Sequence, residues 1–325
     1  MKGPVILLVM LLLAALLSLM VGQVMLTPAQ LWAGLVTGEG PASFTLRILR
    51  GPNLATAIGA GAALGMAGAI FQLLLRNPLA APDVMGFTSG AGLAIIVASS
   101  MGLSLPMPVL AAGGGLIAAL LVAFLSRRRD VPDGTLTLLL VGIGFAFFTS
   151  AMSGFLMTRM PTEQAMEAQR WLAGSLAARN WGHVLQISVL VVILGLLIAL
   201  QARGLALLQL GDDLASGLGL RIRRTRRLLL LTGVLFAAAG VAVAGPVPFV
   251  ALMAGPIGAR LTGAREVGGR LAAAAATGAL IMVLADLAGR ALVPGLQLPV
   301  GVMTGIFGAP YLLWLLVREM EAGDL

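Results

Sequence analysis

The chain has 325 residues, of which 59% are hydrophobic and 10% charged, with a formal net charge of +8. Soluble domains carry roughly 25% charged residues, so this composition excludes a soluble globular protein and predicts an integral membrane protein. The sequence has no cysteine, one lysine (Lys2) and one histidine (His183). These counts exclude disulfides, thiolate metal sites and the lysine of a Walker A motif. If ATP drives this protein, another chain binds it.

Ten apolar runs predict transmembrane helices, because a spanning helix needs about 20 apolar residues. The runs are continuous and not alternating, which favours helices over membrane strands. The first run is longer than a signal peptide core and is interpreted as a retained span. The eighth run is short for a complete crossing. The predicted spans are 4–26, 52–75, 85–102, 108–126, 136–158, 183–202, 228–245, 248–260, 271–289 and 299–317.

Basic residues are divided unevenly between the two sides of these spans. With a cytoplasmic N-terminus, fifteen of the 21 basic residues lie on the inner side and six on the outer side. Inner loops are enriched in Lys and Arg, so both termini are predicted to be cytoplasmic. The outer residues are Arg47, Arg50, Arg159, Arg170, Arg179 and Arg290.

The second span carries a stripe of small residues. Ala57, Gly61, Gly65 and Ala69 recur every four residues, a pattern that lets two helix backbones approach closely. We therefore predict that this face packs against other helices. The inner loop that follows, 76–83, contains two prolines, which end the helix.

Residues 201–227 form the longest interval that cannot lie in a bilayer. Within it, 208–220 has the composition of a short helix on a surface, with Asp212 and Asp213 near its start and arginines after its end, as a helix dipole favours. Gly211 and Gly219 are candidates for its two ends. Two interpretations remain open from composition: a surface gripped by a soluble partner, and a basic loop that only sets topology.

Asp286 is the only acidic residue inside a predicted span. A carboxylate at mid-bilayer costs about 2.5–3.5 kcal/mol on insertion scales, so it needs an explanation. Arg290 follows one turn later and suits an i,i+4 ion pair near the outer interface. The alternative is a proton site, as in an ion-coupled transporter.

Four sequence stretches carry a family resemblance when they are taken together. They are QLLLRNPLAAPDVMG at 72–86, LGDDLASGLG at 210–219, AGPVPFV at 244–250, and LPVGVMT at 298–304 followed by GAP at 308–310. In this order and spacing they resemble the membrane-spanning permease subunits of the bacterial ABC importers for iron–siderophore complexes, haem and cobalamin. The resemblance runs from about Leu46 to Arg318, nearly the whole chain.

The resemblance implies an all-α permease of about ten transmembrane helices in a single domain over residues 1–325, with spans 2–5 and 7–10 related as inverted repeats. It implies a dimer, of this chain or with a paralogue, whose path runs between the copies and is lined by spans 5 and 10. It also implies two ATPase subunits that bind ATP and magnesium on the inner side, and a periplasmic substrate-binding protein on the outer side. No cofactor or metal is expected in this chain. It is expected to be a transport subunit and not an enzyme, with ATP hydrolysis in the separate ATPase chains.

The resemblance also implies roles for particular residues. The segment within 201–227 resembles the coupling helix that docks in a cleft of the ATPase, and Asn77 and Leu79 match the inner-gate loop. Thr135 lies in the matching loop before span 5, where a helix N-cap is an equal alternative. The coupling residues are Leu210, Gly211, Asp212, Asp213, Ala215, Leu218 and Gly219.

On the outer side, the family carries an Arg-x-Pro-Arg pattern whose arginines bind acidic residues of the binding protein. Here the stretch is Arg50-Gly51-Pro52-Asn53, so the second arginine is absent and Arg47 is a candidate substitute. Arg290 lies where the family has another such arginine. Two further departures, Gly255-Pro256 and Gln297, leave local loop shape open.

The resulting prediction is the permease of an ATP-driven importer in the bacterial inner membrane that passes a ferric siderophore. Haem and cobalamin remain alternatives within the family. A proton-coupled secondary transporter using Asp286 and a membrane scaffold without a pore are the alternatives from other classes. The lack of metal-ligand clusters suits a path that passes a wrapped metal complex and never the bare ion.

Overall fold

The computed structural model describes residues 2–22, 24–36, 41–83, 86–103, 105–126, 134–292 and 296–322. The secondary structure within these ranges is helical, with one π-helical turn at Thr45–Arg50. The α-helices are α1 Lys2–Met20, α2 Pro28–Val36, α3 Pro41–Phe44, α4 Gly51–Leu75, α5 Phe87–Ser100, α6 Met107–Leu125, α7 Gly134–Met157, α8 Thr162–Leu172, α9 Trp181–Leu208, α10 Asp212–Gly217, α11 Ile222–Ala244, α12 Val250–Thr262, α13 Val267–Ala291 and α14 Val300–Ala322.

Each of the ten predicted spans forms a helix, which confirms the all-α membrane fold. Eight of the described helices are long and apolar enough to cross a bilayer. The other two are α5, with 14 residues, and α12, with 13. The sequence indicated that α12 would be short, but the run at 85–102 gave no such warning for α5. The four remaining helices, α2, α3, α8 and α10, are too short to span.

The core of the bundle is built around α4, which packs against α9, α11, α12 and α13. Of the residues in the most apolar window of each helix, 72% are buried in the α4 span and in α11, but only 17% in α1, α7 and α9. The central helices therefore contact protein on most sides, whereas the peripheral helices present an apolar face to lipid or to another chain.

Small residues allow α4 to lie directly against its neighbours. Gly61 contacts the backbone of Gly278 in α13, and Gly65 contacts the backbone of Ala274 one turn away. Gly68, which is outside the predicted stripe, contacts the backbone of Ala251 in α12. The predicted packing role of the stripe is confirmed. Helices in lipid associate through such van der Waals contact, because burial of apolar surface from lipid gives no hydrophobic gain.

The two short helices occupy corresponding places in the two halves of the chain. In each half a long central helix, α4 or α11, is followed by a loop, a residue in the left-handed region, and then a short helix. The left-handed residues are Gly86 (φ 74°) before α5 and Phe249 (φ 67°) before α12. This order of elements agrees with the inverted repeats that the resemblance implies.

The start of α1 and the end of α14 lie at the same side of the bundle. Gly3 in the first turn of α1 packs on the backbone of Leu261 and Thr262 at the end of α12. Near the end of α14, the ring of Trp314 lies under the guanidinium of Arg260, also from the end of α12. The start of α1 and the end of α14 are therefore on one side, and the assignment of that side to the cytoplasm stays a prediction from the positive-inside count.

Substitution of Gly68 tests the close approach of α4. A Cβ at this position would lie 1.7 Å from the carbonyl oxygen of Ala251, so Gly68→Val must push α12 away. We expect a loss of about 1–3 kcal/mol or more in stability, measured as a lower thermal unfolding midpoint of the detergent-solubilised protein.

The matched control is Gly195→Val in α9, where an added Cβ meets nothing within 4 Å. It makes the same chemical change in a helix of the same bundle. Equal unfolding midpoints for the two variants would contradict the close packing described here.

Candidate functional site

The predicted surface helix is present as α10. Gly211 precedes it with φ 105° and Gly219 follows it with φ 82°, both in a region that favours glycine, so the two predicted ends are confirmed. Ala215 is fully buried against the rest of the chain, whereas Leu210, Leu214 and Leu218 have exposed fractions of 54%, 62% and 62%. The segment therefore presents a row of leucines outward from a short helix that is anchored through one alanine.

Charges hold α10 in place at its first turn. The Asp212 carboxylate accepts a hydrogen bond of 2.9 Å from Nη2 of Arg226 in α11. Nη2 of Arg76, at the end of α4, lies 3.9 Å from the same carboxylate. Asp212 and Asp213 both occupy the first turn, where the helix dipole favours negative charge.

A further side chain next to α10 was missed by the sequence analysis. Nε2 of Gln209 donates a 3.1 Å hydrogen bond to the carbonyl of Leu73 in the last turn of α4. The last carbonyls of a helix have no partner within it, so this amide caps α4. The one feature of the sequence that could have indicated this role is the polar amide of Gln209 directly after the apolar helix α9.

The candidate inner gate, Asn77 and Leu79, lies in the loop after α4. Arg76 takes a left-handed conformation (φ 51°) and ends the helix. The Asn77 side chain then accepts a 2.7 Å hydrogen bond from the backbone N–H of Leu79, which closes a compact turn. Gln72 supports the loop from inside, since its Nε2 donates to the carbonyls of Pro78 and Leu252, both at 2.9 Å. Thr135 lies in α7, and its side chain is outside the described residues.

Asp83 closes the inner-gate loop beside the start of α5. Its carboxylate accepts a hydrogen bond from the hydroxyl of Thr88. Burial raises the pKa of Asp83, and the Thr88 hydroxyl opposes that rise because it stabilises the charged form. The loop is therefore attached at both ends, to α4 through Gln72 and to α5 through Thr88.

The outer arginines Arg50 and Arg290 are turned inward. Arg50, only 8% exposed, donates to the carbonyls of Leu19 and Met20 at 2.7 and 3.0 Å, and to that of Val24. These carbonyls belong to the end of α1 and the chain just after it. Arg50 therefore caps α1, and its burial speaks against direct contact with a soluble partner.

Arg290 acts on the same helix end from α13. Nη2 of Arg290 lies 2.7 Å from Oδ2 of Asp286, as the i,i+4 spacing predicted, and 2.7 Å from the hydroxyl of Ser18. Asp286 is 5% exposed, and the amide of Asn53 adjoins it. Thus Asn53, which stands where the family has its second arginine, lies beside the buried carboxylate of Asp286.

Arg47 differs from these two arginines because its side chain is exposed. Its backbone carbonyl accepts a 2.8 Å hydrogen bond from Nε1 of Trp181, which attaches the π-helical turn to α9. Next to it a cavity of about 270 Å³ opens between the ends of α1, α4 and α13. Arg50, Arg179 and Arg290 line this cavity, which makes it strongly basic.

Among the described residues, no cluster of three or more His, Asp or Glu side chains could hold a metal ion. The polar groups of the inner side instead join α4, the inner-gate loop and α10 to one another. Those of the outer side cap helix ends around a basic cavity. Both arrangements position helices and surfaces.

Comparison with known proteins places the chain in a family. The model of the FecCD transport family matches residues 10–318. The ferric enterobactin transport system permease protein FepG of Escherichia coli is 38% identical over 92% of this chain and 90% of its own length. The Fe(3+)-citrate import system permease protein YfmE of Bacillus subtilis is 36% identical, over 97% and 94%. The hemin transport system permease protein HmuU of Yersinia pestis is 37% identical, over 97% and 95%.

Solved structures agree with this assignment. A structure described as an inward-facing conformation of a metal-chelate type ABC transporter matches with a TM-score of 0.82 at 28% identity, covering 96% of this chain and 97% of the other. PsaBC from Streptococcus pneumoniae matches with a TM-score of 0.57 at 18% identity, covering 80% and 88%, and shows the fold alone. The resemblance inferred from the four motifs is confirmed: the chain belongs to the FecCD transport family.

Proposed function

We propose that this chain is the permease subunit of an ATP-driven importer that moves a ferric siderophore across the bacterial inner membrane. The observation that carries the proposal is the family match over residues 10–318, together with relatives named for ferric enterobactin and ferric citrate transport. A relative named for hemin transport keeps haem as the alternative cargo, and the family resemblance adds cobalamin.

The inner face suits a soluble ATPase partner. The exposed leucines of α10 form an apolar surface on a helix whose buried side is fixed through Ala215 and Asp212. A short helix anchored in this way is suited to pass a displacement to the spans as a rigid body. ATP and magnesium belong to the ATPase chains. We assign Leu210, Leu214 and Leu218 to direct contact with the ATPase.

The path is proposed to lie between two permease chains, each a copy of this one or a paralogue. Within a single chain α7 packs mainly on α5 and α6, and α14 mainly on α12 and α13. Both helices present large apolar side chains outward, such as Phe147 (74% exposed) in α7 and Phe307 (55% exposed) in α14. A second chain would enclose a path between these faces, with Asn77, Leu79 and Thr135 near its inner end.

The outer surface is proposed to receive a periplasmic substrate-binding protein. Arg47 offers its exposed side chain to acidic groups of that partner. Arg50 and Arg290 contribute positive charge to the same surface, and their hydrogen bonds hold the end of α1 in position. Long-range charge of this kind raises the rate of encounter and makes it sensitive to salt.

Co-purification tests the proposed function first. A tagged chain extracted from membranes of its host should retain an ATPase subunit and a periplasmic binding protein, identified by mass spectrometry. The iron complex that this binding protein retains would name the cargo. Recovery of the chain without an ATPase, in a mild detergent, would contradict the importer.

Asp286→Asn separates the importer from the proton-coupled transporter. Because Asp286 is ion-paired with Arg290 at a helix cap, we expect the variant to keep ATP-dependent uptake of ferric enterobactin or ferric citrate, measured in proteoliposomes with the partner chains. Its cost should be a lower thermal midpoint. Loss of uptake at an unchanged amount of assembled complex would favour a titrating role.

Leu214→Asp tests the apolar docking surface. The Leu214 side chain is 62% exposed, so the variant should accumulate normally. It should bind the ATPase at least about tenfold more weakly, the equivalent of ~1.4 kcal/mol. The control is Ser216→Asp, which adds the same charge to an exposed position of the same helix. Equal weakening by both variants would assign the effect to charge and would overturn the leucine surface.

Arg47→Glu and Arg50→Gln should have different effects. Arg47→Glu is expected to weaken the binding protein's affinity most at low salt, because exposed charges act over about a Debye length. Arg50→Gln should lower the thermal midpoint, because it leaves the end of α1 uncapped, at a cost of about 1–3 kcal/mol. Arg170→Glu, an equal charge change on the predicted outer side, serves as the control. If Arg170→Glu lowered the affinity for the binding protein as much as Arg47→Glu does, Arg47 would no longer be assigned to the docking site.

A further inference from the structure

The last turn of α4 is a junction between three separate parts of the inner side. Gln72, 7% exposed, donates through Nε2 to the carbonyl of Pro78 in the inner-gate loop and to that of Leu252 in α12. The next residue, Leu73, accepts through its carbonyl from Gln209, just before α10. Two adjacent residues of one helix thus contact the gate loop, the coupling segment and α12.

The hydrogen bond from Gln209 satisfies a group that α4 cannot satisfy itself. At the helix end the backbone N–H groups of Arg76 and Asn77 both go to the carbonyl of Gln72. This choice leaves the Leu73 carbonyl without its usual partner, so the Gln209 amide takes that place. An unpaired carbonyl in partly buried surroundings is unfavourable. Loss of the Gln209 hydrogen bond would therefore cost free energy, and this favours contact between the two segments.

An ion pair also joins the end of α4 to the coupling segment, beside a cavity of about 310 Å³ that is lined by Gln72, Arg76, Asn77, Gln209 and Arg270 among others. Nη2 of Arg76 lies 3.9 Å from Oδ1 of Asp212, and both side chains are about half exposed. Exposed ion pairs of this length hold geometry weakly. Of these two contacts, the partly buried hydrogen bond of Gln209 is the stronger.

We propose that Gln209 is a positioning residue that ties the coupling helix α10 to the end of α4, and that Gln72 passes the resulting displacement to the inner-gate loop and to α12. The proposal rests on the proposed function, because it takes the displacement to begin when the ATPase pulls on α10. It assigns the transmission step to two glutamines of this chain.

A distance measurement on the full chain tests the tie without any partner or cargo. Because the sequence contains no cysteine, spin labels attach only to the two cysteines that are introduced, Leu79→Cys in the gate loop and Ser216→Cys in α10. We expect a narrow distribution of distances between the labels in the parent chain and a broad one after Gln209→Leu. The control is Gln201→Leu, the same substitution on α9 at an amide that bonds Thr232 of α11 at 2.9 Å.

An unchanged distribution in Gln209→Leu would overturn the tie. Equal broadening in Gln201→Leu would also overturn it, because it would indicate a general loosening of α9. Should Gln209→Leu fail to accumulate, Gln209→Glu keeps the side-chain length and replaces the amide donor with a carboxylate, which cannot donate when ionised. Gln201→Glu then serves as its control for the added charge, and the same two outcomes decide.

A second readout in the assembled complex separates positioning from mere structural support. With its ATPase bound, the label at residue 79 should respond to trapping with ADP and vanadate. We expect Gln209→Leu to reduce that response about fivefold or more while ATPase association and ATP hydrolysis stay at the parent level. A response equal to the parent's would refute the transmission role. If the parent chain bound no ATPase, the proposed function would fail, while the distance measurement would still decide the tie.

Discussion

The direct contact of the α4 backbone with α12 and α13 is the constraint on which the other functional parts depend. Because Gly61, Gly65 and Gly68 remove side chains from the interface, these helices meet through main-chain atoms and cannot slide without a clash. Functional groups occupy both ends of this helix, Arg50 at the outer end and Gln72 at the inner end. A helix of 25 residues is about 37 Å long, so a single rigid rod separates the outer basic cavity from the inner gate.

A second constraint is the need to satisfy backbone groups where the helices end. Where a helix ends in buried surroundings, water does not reach its last carbonyls, so these require donors from the protein itself. Arg50 and Arg290 supply them to α1, and Gln209 supplies one to α4. Arg50 and Arg290, assigned to docking by resemblance alone, are thus occupied with capping α1. Of the three arginines assigned to docking, Arg47 is the one with an exposed side chain.

Much of the fold was predictable because membrane helices follow from apolar length, and the small-residue stripe predicted a face of α4 that packs closely on other helices. The glycines around α10 predicted its ends because a positive φ favours that residue. The inward turn of Arg50 was not predictable, since the carbonyls that it caps lie about 30 residues earlier in the sequence. The role of Gln209 was hidden for the same reason: its partner Leu73 is 136 residues away. Patterns along the chain report local geometry, whereas these ties depend on which helix ends meet.

The shortness of α5 and α12 bears on the thickness of the barrier that the cargo meets. With 14 and 13 residues, these helices are about 21 and 20 Å long, against a hydrocarbon layer of about 30 Å. The polar loops before them must therefore begin inside the hydrocarbon layer, which is tolerable only because neighbouring spans shield them from lipid. One of these loops follows α4 and the other follows α11, so they enter the layer from opposite faces. The apolar barrier at each of these two helices is in this way shorter than the hydrocarbon layer, from one face at α5 and from the opposite face at α12.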